Sequence, residues 1–390
     1  MRKGVSVTRI YLIRHCEAEG NIYRRAQGWY DSNISPKGAR QIDALAERFR
    51  DTAVDALYSS DLTRARRTAG AIARHHDLPL HTTPRLREMN LGAWEDRPFG
   101  DVGHESPALL AAFNGDPDRW SVPGAESFSE LKRRMGAAIR EIAAEHEGQT
   151  VVCVSHGMAI RALLADILNV PSERIDALVP HGDNTAVSLL ELEDGETRVA
   201  YMNDASHLTG DLSTFSRQSW WKDSAKADPN NVYFRRLDPA AYPSTYLSFY
   251  EKTWKAVHGD LSGFRPAVYL EHAKEHVRAC PDALVSIVRP EGEVAGVTEL
   301  DVLRGRDEGA GWICLCYVEE ACRRSLLGVQ LIGHAVSVFR RQGFKAARLN
   351  VFEGNTGAIR FYEAYEFRPI GEADGVAGKL LIMEKDLRVC

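Results

Sequence analysis

The chain has 390 residues, a length that favours two domains over a single hydrophobic core. Its 44% hydrophobic and 26% charged residues are typical of a globular protein, and its formal net charge of −5 excludes the overall basic excess of a nucleic-acid-binding chain. The N-terminus lacks the apolar core of a signal peptide, and no apolar stretch is long enough to span a bilayer. We therefore expect a cytoplasmic protein that acts on small molecules, with no nucleic-acid partner and no membrane partner.

Strand-like and helical segments alternate through the first half of the sequence. In chain order, the predicted elements are strand TRIYLIR, a helix from about Pro36 to Arg50, strand VDALYSS, a helix from Leu62, strand HTTPRL, a helix from about Phe128, strand TVVCVS with a helix after it, and a last strand around TAVSLLEL. This alternation is typical of an α/β domain with a largely parallel sheet.

The polar stretch KDSAKADPNN (222–231) has the composition of a linker. It predicts a first domain at 1–222, a linker at 223–231 and a second domain at 232–390. The elements predicted in the second domain are helices STYLSFYEKTWKAV and EHAKEHVRAC, strands LVSIVR, EVAGVTEL and GWICLCYV, a helix at 325–342, strand ARLNVF, helix TGAIRFYEAY and strand LLIMEKDL. This order, with helices first, predicts an α+β domain with much antiparallel pairing.

Four separated segments of the first half carry polar residues that packing does not explain. Arg14 and His15 follow the first strand, His156 follows strand TVVCVS, and Arg64 and Glu88 lie between them. Because the carboxyl ends of neighbouring parallel strands share one crevice, we expect the two histidines to meet. Two arginines and two histidines together would form an electropositive cup suited to a phosphoryl group.

Five segments in the same region, LIRHCEAEGN, AQGWYDSNISPKGARQ, SSDLTRARRTA, LREMNLGAWED and VVCVSHGMAIRALL, occur in this order. Together they resemble the histidine phosphatase, or phosphoglycerate mutase-like, superfamily across roughly residues 8 to 200. The resemblance implies a three-layer α/β/α domain. It also implies that His15 attacks phosphorus to form a phosphohistidine, and that Arg14, Arg64 and His156 bind the phosphoryl oxygens.

The same resemblance implies roles for three further residues. Glu88 matches the proton donor of the family, which requires a pKa raised toward neutrality by burial or by a negative neighbour. Asn21 and Gly157 are expected to contact the substrate. Cys16 stands where the family usually has glycine, which we expect to be tolerated if its backbone φ is negative. The alternative is that Cys16 is itself the nucleophile.

No metal is predicted at either site. In the first site the arginines supply the positive charge that a cation would bring. The closest set of cysteines, Cys314, Cys316 and Cys322, lacks the second pair of ligands that a structural zinc ion requires.

The stretch between Glu88 and His156 decides between a phosphatase and a mutase. Cofactor-dependent mutases carry a longer insertion here that excludes water, whereas this chain has only a helix-and-loop stretch with a VPGAES segment similar to that of small-molecule phosphatases. We therefore expect hydrolysis of a phosphomonoester.

In the second half, CYVEEACRRSLLGVQLIGHAV followed by ARLNVFEGNTGAIRFYEAYEF resembles the last two conserved blocks of the GNAT-type N-acetyltransferases. The resemblance implies an α+β acyltransferase domain with acetyl-CoA as co-substrate, its pyrophosphate bound by N–H groups at a helix N-terminus. Tyr362 matches the residue that protonates the leaving thiolate. The implied cofactor-binding residues are Val318, Arg323, Arg324, Ser325, Leu326, Leu327, Gly328 and Asn355.

Two residues of the second half leave questions open. Leu326 stands where the family has glycine, so its side chain can crowd the pyrophosphate and weaken CoA binding. Glu299 lies on a strand and is either the base for the incoming ammonium group or a solvated carboxylate.

These observations predict a bifunctional enzyme: a phosphomonoesterase fused to an acetyltransferase that acts on a primary amine of a small molecule. One alternative is a phosphatase regulated by a catalytically inert CoA-sensing domain. Another is an antibiotic-modifying resistance enzyme. The sequence does not predict the substrates, and it is compatible with a homodimer.

Overall fold

The computed structural model describes residues 7–217, 232–376 and 378–389. Its contacts divide the chain into two compact units: the first holds most of residues 7–217, and the second holds residues 98–104 together with most of the chain from 232 onward. The predicted linker, 223–231, lies outside the described residues, so the domain boundaries stay a prediction. Within the described residues, no helix has both the length and the apolar character needed to cross a membrane.

In the described residues the sheet of the first unit has six strands, in the spatial order β3-β2-β4-β1-β5-β6. Strands β3, β2, β4 and β1 run parallel to one another. Strand β5 runs antiparallel to both of its neighbours, β1 and β6. The predicted α/β domain with a largely parallel sheet is thus confirmed. The strands are β1 (Thr8–Arg14), β2 (Ala56–Ser59), β3 (Leu80–Thr82), β4 (Thr150–Ser155), β5 (Val187–Glu193) and β6 (Glu196–Asp204).

The sequence prediction of the strands in this unit was wrong in two places. The predicted strand HTTPRL is a strand only as far as Thr82, because Pro84 begins a 3₁₀ turn instead. Strand β6 was not predicted, since it lies at the edge of the sheet and has no fully buried residue to mark one face.

Helices flank the sheet of the first unit, and two of them show why they begin where they do. The Ser35 hydroxyl accepts the backbone N–H of Gly38 at the start of α2, and Ser127 and Glu130 form a capping box at the start of α6. The helices in this part of the chain are α1 (Glu19–Tyr23), α2 (Pro36–Phe49), α3 (Thr63–His76), α4 (Phe99–Glu105), α5 (Pro107–Gly115), α6 (Phe128–Glu145), α7 (Gly157–Ile167) and α8 (Ile175–Leu178). Nearly all of α4 belongs to the second unit.

One part of the core of the first unit lies between the sheet and helices α2 and α3. Ile13, Leu57 and Val154 come from three neighbouring strands and pack with Phe49 of α2 and Ile72 of α3. Complete burial of such a side chain stabilises the fold by roughly 1.5–3 kcal/mol. The strands therefore form a rigid platform for the loops at their carboxyl ends.

The parallel register aligns the carboxyl ends of the central strands. Arg14, the last residue of β1, pairs with Ser155, the last residue of β4, and Ser59 of β2 pairs with Val154. The residues that follow β1 and β4 therefore enter the same space.

In the second unit the sheet has seven described strands, in the order β12-β13-β11-β10-β9-β8-β7, and only β10 and β11 are parallel. This confirms the predicted α+β domain. The strands are β7 (Tyr233–Arg236), β8 (Leu284–Val288), β9 (Val294–Asp301), β10 (Ala310–Val318), β11 (Ala346–Phe352), β12 (Arg368–Gly375) and β13 (Gly378–Asp386). The helices are α9 (Pro243–His258), α10 (Pro266–Ala279), α11 (Leu327–Arg341) and α12 (Thr356–Ala364). The prediction that helices come first was wrong, since β7 precedes them.

Strands β10 and β11 separate part of the way along their length. They pair only from Ala310 to Ile313, whereas β11 continues to Phe352 and stays paired with β13. The separation follows a bulge between Ile313 and Leu315. A cleft therefore opens between the two strands, with the β10 backbone beyond Cys314 unpaired on that side.

Candidate active sites

The first candidate site lies where β1 and β4 end. The backbone N–H of His15 donates to the carbonyl of Ser155 at 2.9 Å, and the ring centroids of His15 and His156 are 5.0 Å apart. Both side chains are buried. The two histidines thus meet where the topology predicted that they would.

The surroundings of His15 fix its protonation. Its Nδ1 lies 2.7 Å from the carbonyl oxygen of Cys16, so Nδ1 carries the hydrogen and donates it. Burial, together with the charges of Arg64 and Arg14, holds the pKa of His15 well below its ordinary value. His15 is therefore a neutral imidazole whose Nε2 lone pair is free for nucleophilic attack.

Arg64 and Arg14 are each held by backbone carbonyls. Arg64 is completely buried and donates to the carbonyls of Gly28 at 2.8 Å and Tyr30 at 3.1 Å, while Arg14 donates to that of Gly182 at 2.6 Å. Burial lowers the pKa of both arginines, but a guanidinium stays charged in proteins.

Several nitrogens of this site find no hydrogen-bond partner within the described residues. They are the buried Nε of Arg14, the buried Nε of Arg64 and both ring nitrogens of His156. A buried polar group without a partner costs about 1–3 kcal/mol, so a cluster of them calls for a ligand with several oxygens. A phosphoryl group meets that need.

Glu88 lies at the N-terminus of α7. Its carboxylate accepts the backbone N–H groups of Met89, Met158 and Ala159 at 2.8–3.0 Å. Burial nevertheless raises the pKa of Glu88, against the opposing effect of these N–H groups and of Arg64. The raised pKa is the direction that a proton donor requires.

The structure places the remaining predicted residues as follows. A Cβ atom on Gly157 would lie 3.4 Å from Nε of Arg14 and 3.8 Å from the Glu88 carboxylate, so this glycine borders the site. Asn21 accepts the N–H of Ala18 and caps α1; its contact with substrate stays a prediction. Cys16 is fully buried, which raises the pKa of its thiol to about 12, and its φ is not positive. The first of these findings argues against Cys16 as the nucleophile.

Sequence reasoning missed a loop that holds Arg14 and His15 from the side of β5. Asn184 donates from Nδ2 to the carbonyl of His15 at 2.9 Å, and the N–H of Thr185 donates to the carbonyl of Arg14 at 3.0 Å. Gly182 accepts from the Arg14 guanidinium. The run HGDNT just before an apolar strand was the available signal, because polar residues at a strand end often line a site.

Arg134 of α6 was also missed. Its guanidinium donates to the carbonyls of Arg85, Arg87 and Glu88 and pairs with Glu126 at 2.7 Å. It therefore fixes the backbone that carries the Glu88 carboxylate. On the sequence alone Arg134 looks like any charge on an amphipathic helix.

The second candidate site begins at the turn before α11. Leu326 caps this helix with φ 61° and is 37% exposed, and Arg324 also has positive φ. Leu326 thus adopts the left-handed conformation in which glycine is ordinarily found, at a cost of about 1–2 kcal/mol. A Cβ atom on Gly328 would approach Phe361 to 3.1 Å, which explains the glycine there.

The other predicted cofactor-binding residues lie close to this turn or to the cleft. Nε of Arg323 donates to the carbonyl of Val318 at 3.2 Å, and the Ser325 hydroxyl donates to the carbonyl of Cys322. Leu327 is buried against β8 and β9, so only its backbone can face a ligand.

Asn355 is the N-cap of α12, and Tyr362 lies on that helix. Asn355 caps this helix by accepting the N–H of Ala358 at 3.1 Å. The side chain of Tyr362 lies close to that of Cys316, a residue of the part of β10 that is not paired with β11. Burial raises the pKa of Tyr362 well above its ordinary value, so the phenol holds its proton at neutral pH. The contacts of Asn355 and Tyr362 with CoA stay predictions.

The reading of Glu299 as a solvated carboxylate was wrong. Glu299 is 2% exposed; one oxygen accepts from the Tyr246 hydroxyl and the other contacts Nδ1 of His276, each at 2.8 Å. Although burial lowers it, hydrogen bonds to Asp301 and Glu299 raise the pKa of His276 to about 9. With both oxygens engaged, Glu299 is no free base either.

Comparisons with known proteins find both families. The family model described as histidine phosphatase superfamily (branch 1) matches residues 10–205, and that described as acetyltransferase (GNAT) family matches residues 254–367. The chain is 37% identical over 163 residues to a protein named probable phosphoglycerate mutase GpmB from Yersinia pestis, covering 42% of this chain and 76% of that protein.

Among solved structures, that of Bacillus stearothermophilus YhfR is similar, with 32% identity and a TM-score of 0.50, covering 51% of this chain and 98% of that one. The family match extends over half of the chain and includes the buried histidine and arginine cluster. The chain therefore belongs to the histidine phosphatase superfamily, branch 1, and carries a domain of the GNAT acetyltransferase family after it.

Proposed function

We propose that the first unit hydrolyses a small phosphomonoester through a phosphohistidine on His15. The observation that carries the proposal is a set of buried nitrogens of Arg14, Arg64 and His156, for which the described part of the chain offers no hydrogen-bond partner, beside a neutral His15. These groups need no reorganisation when a phosphoryl group arrives, and fixed donors of this kind are the largest single contribution in many enzymes.

The proposed reaction has two steps. In the first, Nε2 of His15 attacks phosphorus, the bond from phosphorus to the ester oxygen breaks, and Glu88 gives its proton to the departing alcohol. In the second, the Glu88 carboxylate takes a proton from water, whose oxygen attacks phosphorus, and inorganic phosphate leaves His15. At the end His15 is again free and Glu88 is again protonated.

We favour hydrolysis over transfer of the phosphoryl group back to the substrate. Between Glu88 and α6 the chain has only the short helices α4 and α5 and single 3₁₀ turns, which supports a site open to water. The test is incubation of the full chain with 3-phosphoglycerate without added bisphosphoglycerate. Release of inorganic phosphate supports a phosphatase, and efficient formation of 2-phosphoglycerate without phosphate release contradicts it.

We also propose that the second unit transfers an acetyl group from acetyl-CoA to a primary amine of a small molecule. The separation of β10 from β11 supports this, since it leaves backbone groups available to an extended ligand, next to the N–H groups that begin α11. The residues present fit the cofactor, because the turn at Leu326 keeps the backbone conformation that a glycine would give it. Tyr362 supplies the proton for the departing thiolate.

The experiment for the second unit is a screen of amines with acetyl-CoA, using the full chain and the Tyr362→Phe variant. Acetyl transfer that falls by roughly 10²-fold or more in the variant, with circular dichroism unchanged, supports the role of the phenol. Calorimetry separates the CoA-sensing alternative: acetyl-CoA that binds without transfer to any amine would favour a sensor. The His15→Ala variant controls for the first unit and is expected to retain full acetyl transfer.

A further inference from the structure

A polar cluster in the second unit has no part in the proposed acetyl transfer. His276 of α10, Asp301 at the end of β9 and Cys314 of β10 bring one ligand atom each to within 4.8 Å of one another. Their burial is graded: His276 is 7% exposed, the Asp301 side chain 13%, and Cys314 is exposed. An imidazole, a carboxylate and a thiol from three separate elements thus converge at a position that solvent reaches.

The geometry is that of a metal site of one kind. Nε2 of His276 lies 3.2 Å from Oδ2 of Asp301. Zinc bonds of 2.0–2.3 Å in a tetrahedron place neighbouring ligand atoms about 3.3–3.6 Å apart, so these two atoms already have the required separation. Sγ of Cys314 must move at most about 1.3 Å closer to the other two ligand atoms. Rotation of an exposed side chain allows this movement.

The surroundings orient the ligands as metal sites require. Nδ1 of His276 faces Glu299 at 2.8 Å, and the Tyr246 hydroxyl holds the other Glu299 oxygen. A carboxylate on the second ring nitrogen is the usual partner of a metal-binding histidine, since it leaves Nε2 as the ligand. Oδ1 of Asp301 accepts the N–H groups of Leu303 at 2.7 Å and Arg304 at 2.9 Å, which directs Oδ2 to His276.

The bulge in β10 explains the position of the third ligand. The register shifts between Ile313 and Leu315, so Cys314 faces the side of the sheet where α10 packs. Cys316, two residues further, packs with the cluster around Leu331 of α11 instead. Bulges that redirect one side chain are common next to functional sites.

We propose that His276, Asp301 and Cys314 bind one Zn²⁺ ion, with the fourth position open to solvent. Thiolate and imidazole together favour zinc over magnesium or calcium, which take oxygen ligands. Binding releases the thiol proton of Cys314 and the proton shared by His276 and Asp301. Asp301, Glu299 and the thiolate formed on binding carry negative charge, and the nearby cation Arg304 stacks on Trp312 at 3.6 Å.

The test uses the full chain, freed of metal with a chelator and titrated with Zn²⁺ and, in a second series, with Co²⁺. We expect one equivalent of zinc, protection of Cys314 from alkylation, and with cobalt the thiolate-to-metal charge-transfer band of a tetrahedral site. The Cys314→Ser variant, changed at an exposed position, is expected to fold and to lose the band. Glu299→Gln is expected to weaken zinc binding roughly 10–100-fold.

Two matched controls come from the same elements. Cys316→Ser changes the second cysteine of β10, which is half-buried, and His272→Gln changes the exposed histidine one turn before His276 on α10. Both are expected to keep the cobalt band. The proposal is overturned if the native chain binds cobalt without a thiolate band, if the band survives Cys314→Ser, or if Cys316→Ser removes it.

Discussion

The two candidate sites are built in different ways. The first site consists of side chains, buried and held by backbone carbonyls, with nitrogens that find no hydrogen-bond partner among the described residues. The acetyltransferase site consists mainly of backbone: the start of α11, the unpaired part of β10, and side chains such as Asn355 that cap their own helices. The first site should therefore respond to loss of single side chains, and the second to changes in backbone conformation.

The largest difference is expected between two arginine variants. Loss of the buried guanidinium in Arg64→Ala should lower kcat/KM for a phosphomonoester by roughly 10²–10³-fold, since its donors are fixed in position before the substrate arrives. Arg64→Lys should recover only part of this, because a lysine has one charge but no forked donor. Arg323→Ala in the second unit should raise KM for acetyl-CoA by less than about fivefold, as an exposed charge contributes little.

The measurement is the steady-state kinetics of all three variants, and thermal melts verify that each variant is folded. A loss in Arg323→Ala as large as that in Arg64→Ala would contradict the comparison, because the second site would then also depend on a single side chain.

The pH dependence of the first site follows from Glu88 and His15. Glu88 must be protonated to act as the acid, and burial raises its pKa, so kcat/KM should fall as pH rises through that raised value. His15 must be neutral, and its lowered pKa places the acidic limb well below pH 6.5. Glu88→Gln should lower kcat for an alkyl phosphate by roughly 10²–10⁴-fold and remove the basic limb.

Two controls sharpen the pH experiment. p-Nitrophenyl phosphate has a leaving group that needs no proton, so its first step should be far less sensitive to Glu88→Gln. Glu141→Gln, at an exposed carboxylate of α6, should leave the profile unchanged. Equal losses for both substrates in kcat/KM, which reports only the steps up to release of the alcohol, would argue that Glu88 is not the proton donor.

The second site allows a change that should improve it. Leu326→Gly removes the strain of a positive φ, so we expect the second unit to gain up to about 1 kcal/mol in free energy of unfolding. The KM for acetyl-CoA should fall several-fold. Leu326→Ala removes most of the side chain but keeps the strain of the positive φ. It should therefore lower the KM for acetyl-CoA less than Leu326→Gly does. Calorimetric affinity that worsens in Leu326→Gly would contradict a backbone-built site.

The smallest effect is expected at Gly157. A methyl group there makes ordinary contacts, 3.4 Å from Nε of Arg14, so Gly157→Ala should fold with unchanged stability. The methyl group covers a nitrogen that is proposed to face the phosphoryl group, and it should weaken one charged contact. We therefore expect KM to rise about two- to fivefold, and kcat to change less. An unchanged KM would place the phosphoryl group elsewhere.

The sequence predicted that the two histidines of the first site meet, because this prediction depends on topology alone. His15 and His156 each follow a buried strand, and parallel pairing brings such strand ends together. The loop of Gly182 and Asn184 escaped prediction because it precedes an antiparallel strand and acts largely through backbone contacts. Arg134 escaped because its partners are carbonyls 46 to 49 residues away.

The second unit was predicted less completely. Helices and central strands were identified from their periodicity, but the edge strands β7 and β12 have no buried residue and so no clear apolar pattern. The left-handed conformation of Leu326 and the contact of His276 with Glu299 depend on tertiary structure. No pattern in one strand or one helix encodes either of them.

The most direct test of the account is to trap the phosphoryl group on the protein. With radiolabelled p-nitrophenyl phosphate, Glu88→Gln should still be phosphorylated but should hydrolyse the adduct slowly, so label should accumulate and survive an alkaline quench. The account predicts that the label lies on His15 and is absent when His15→Ala is added to Glu88→Gln. Label on Cys16 or on any other residue, or turnover that persists in His15→Ala, would contradict it.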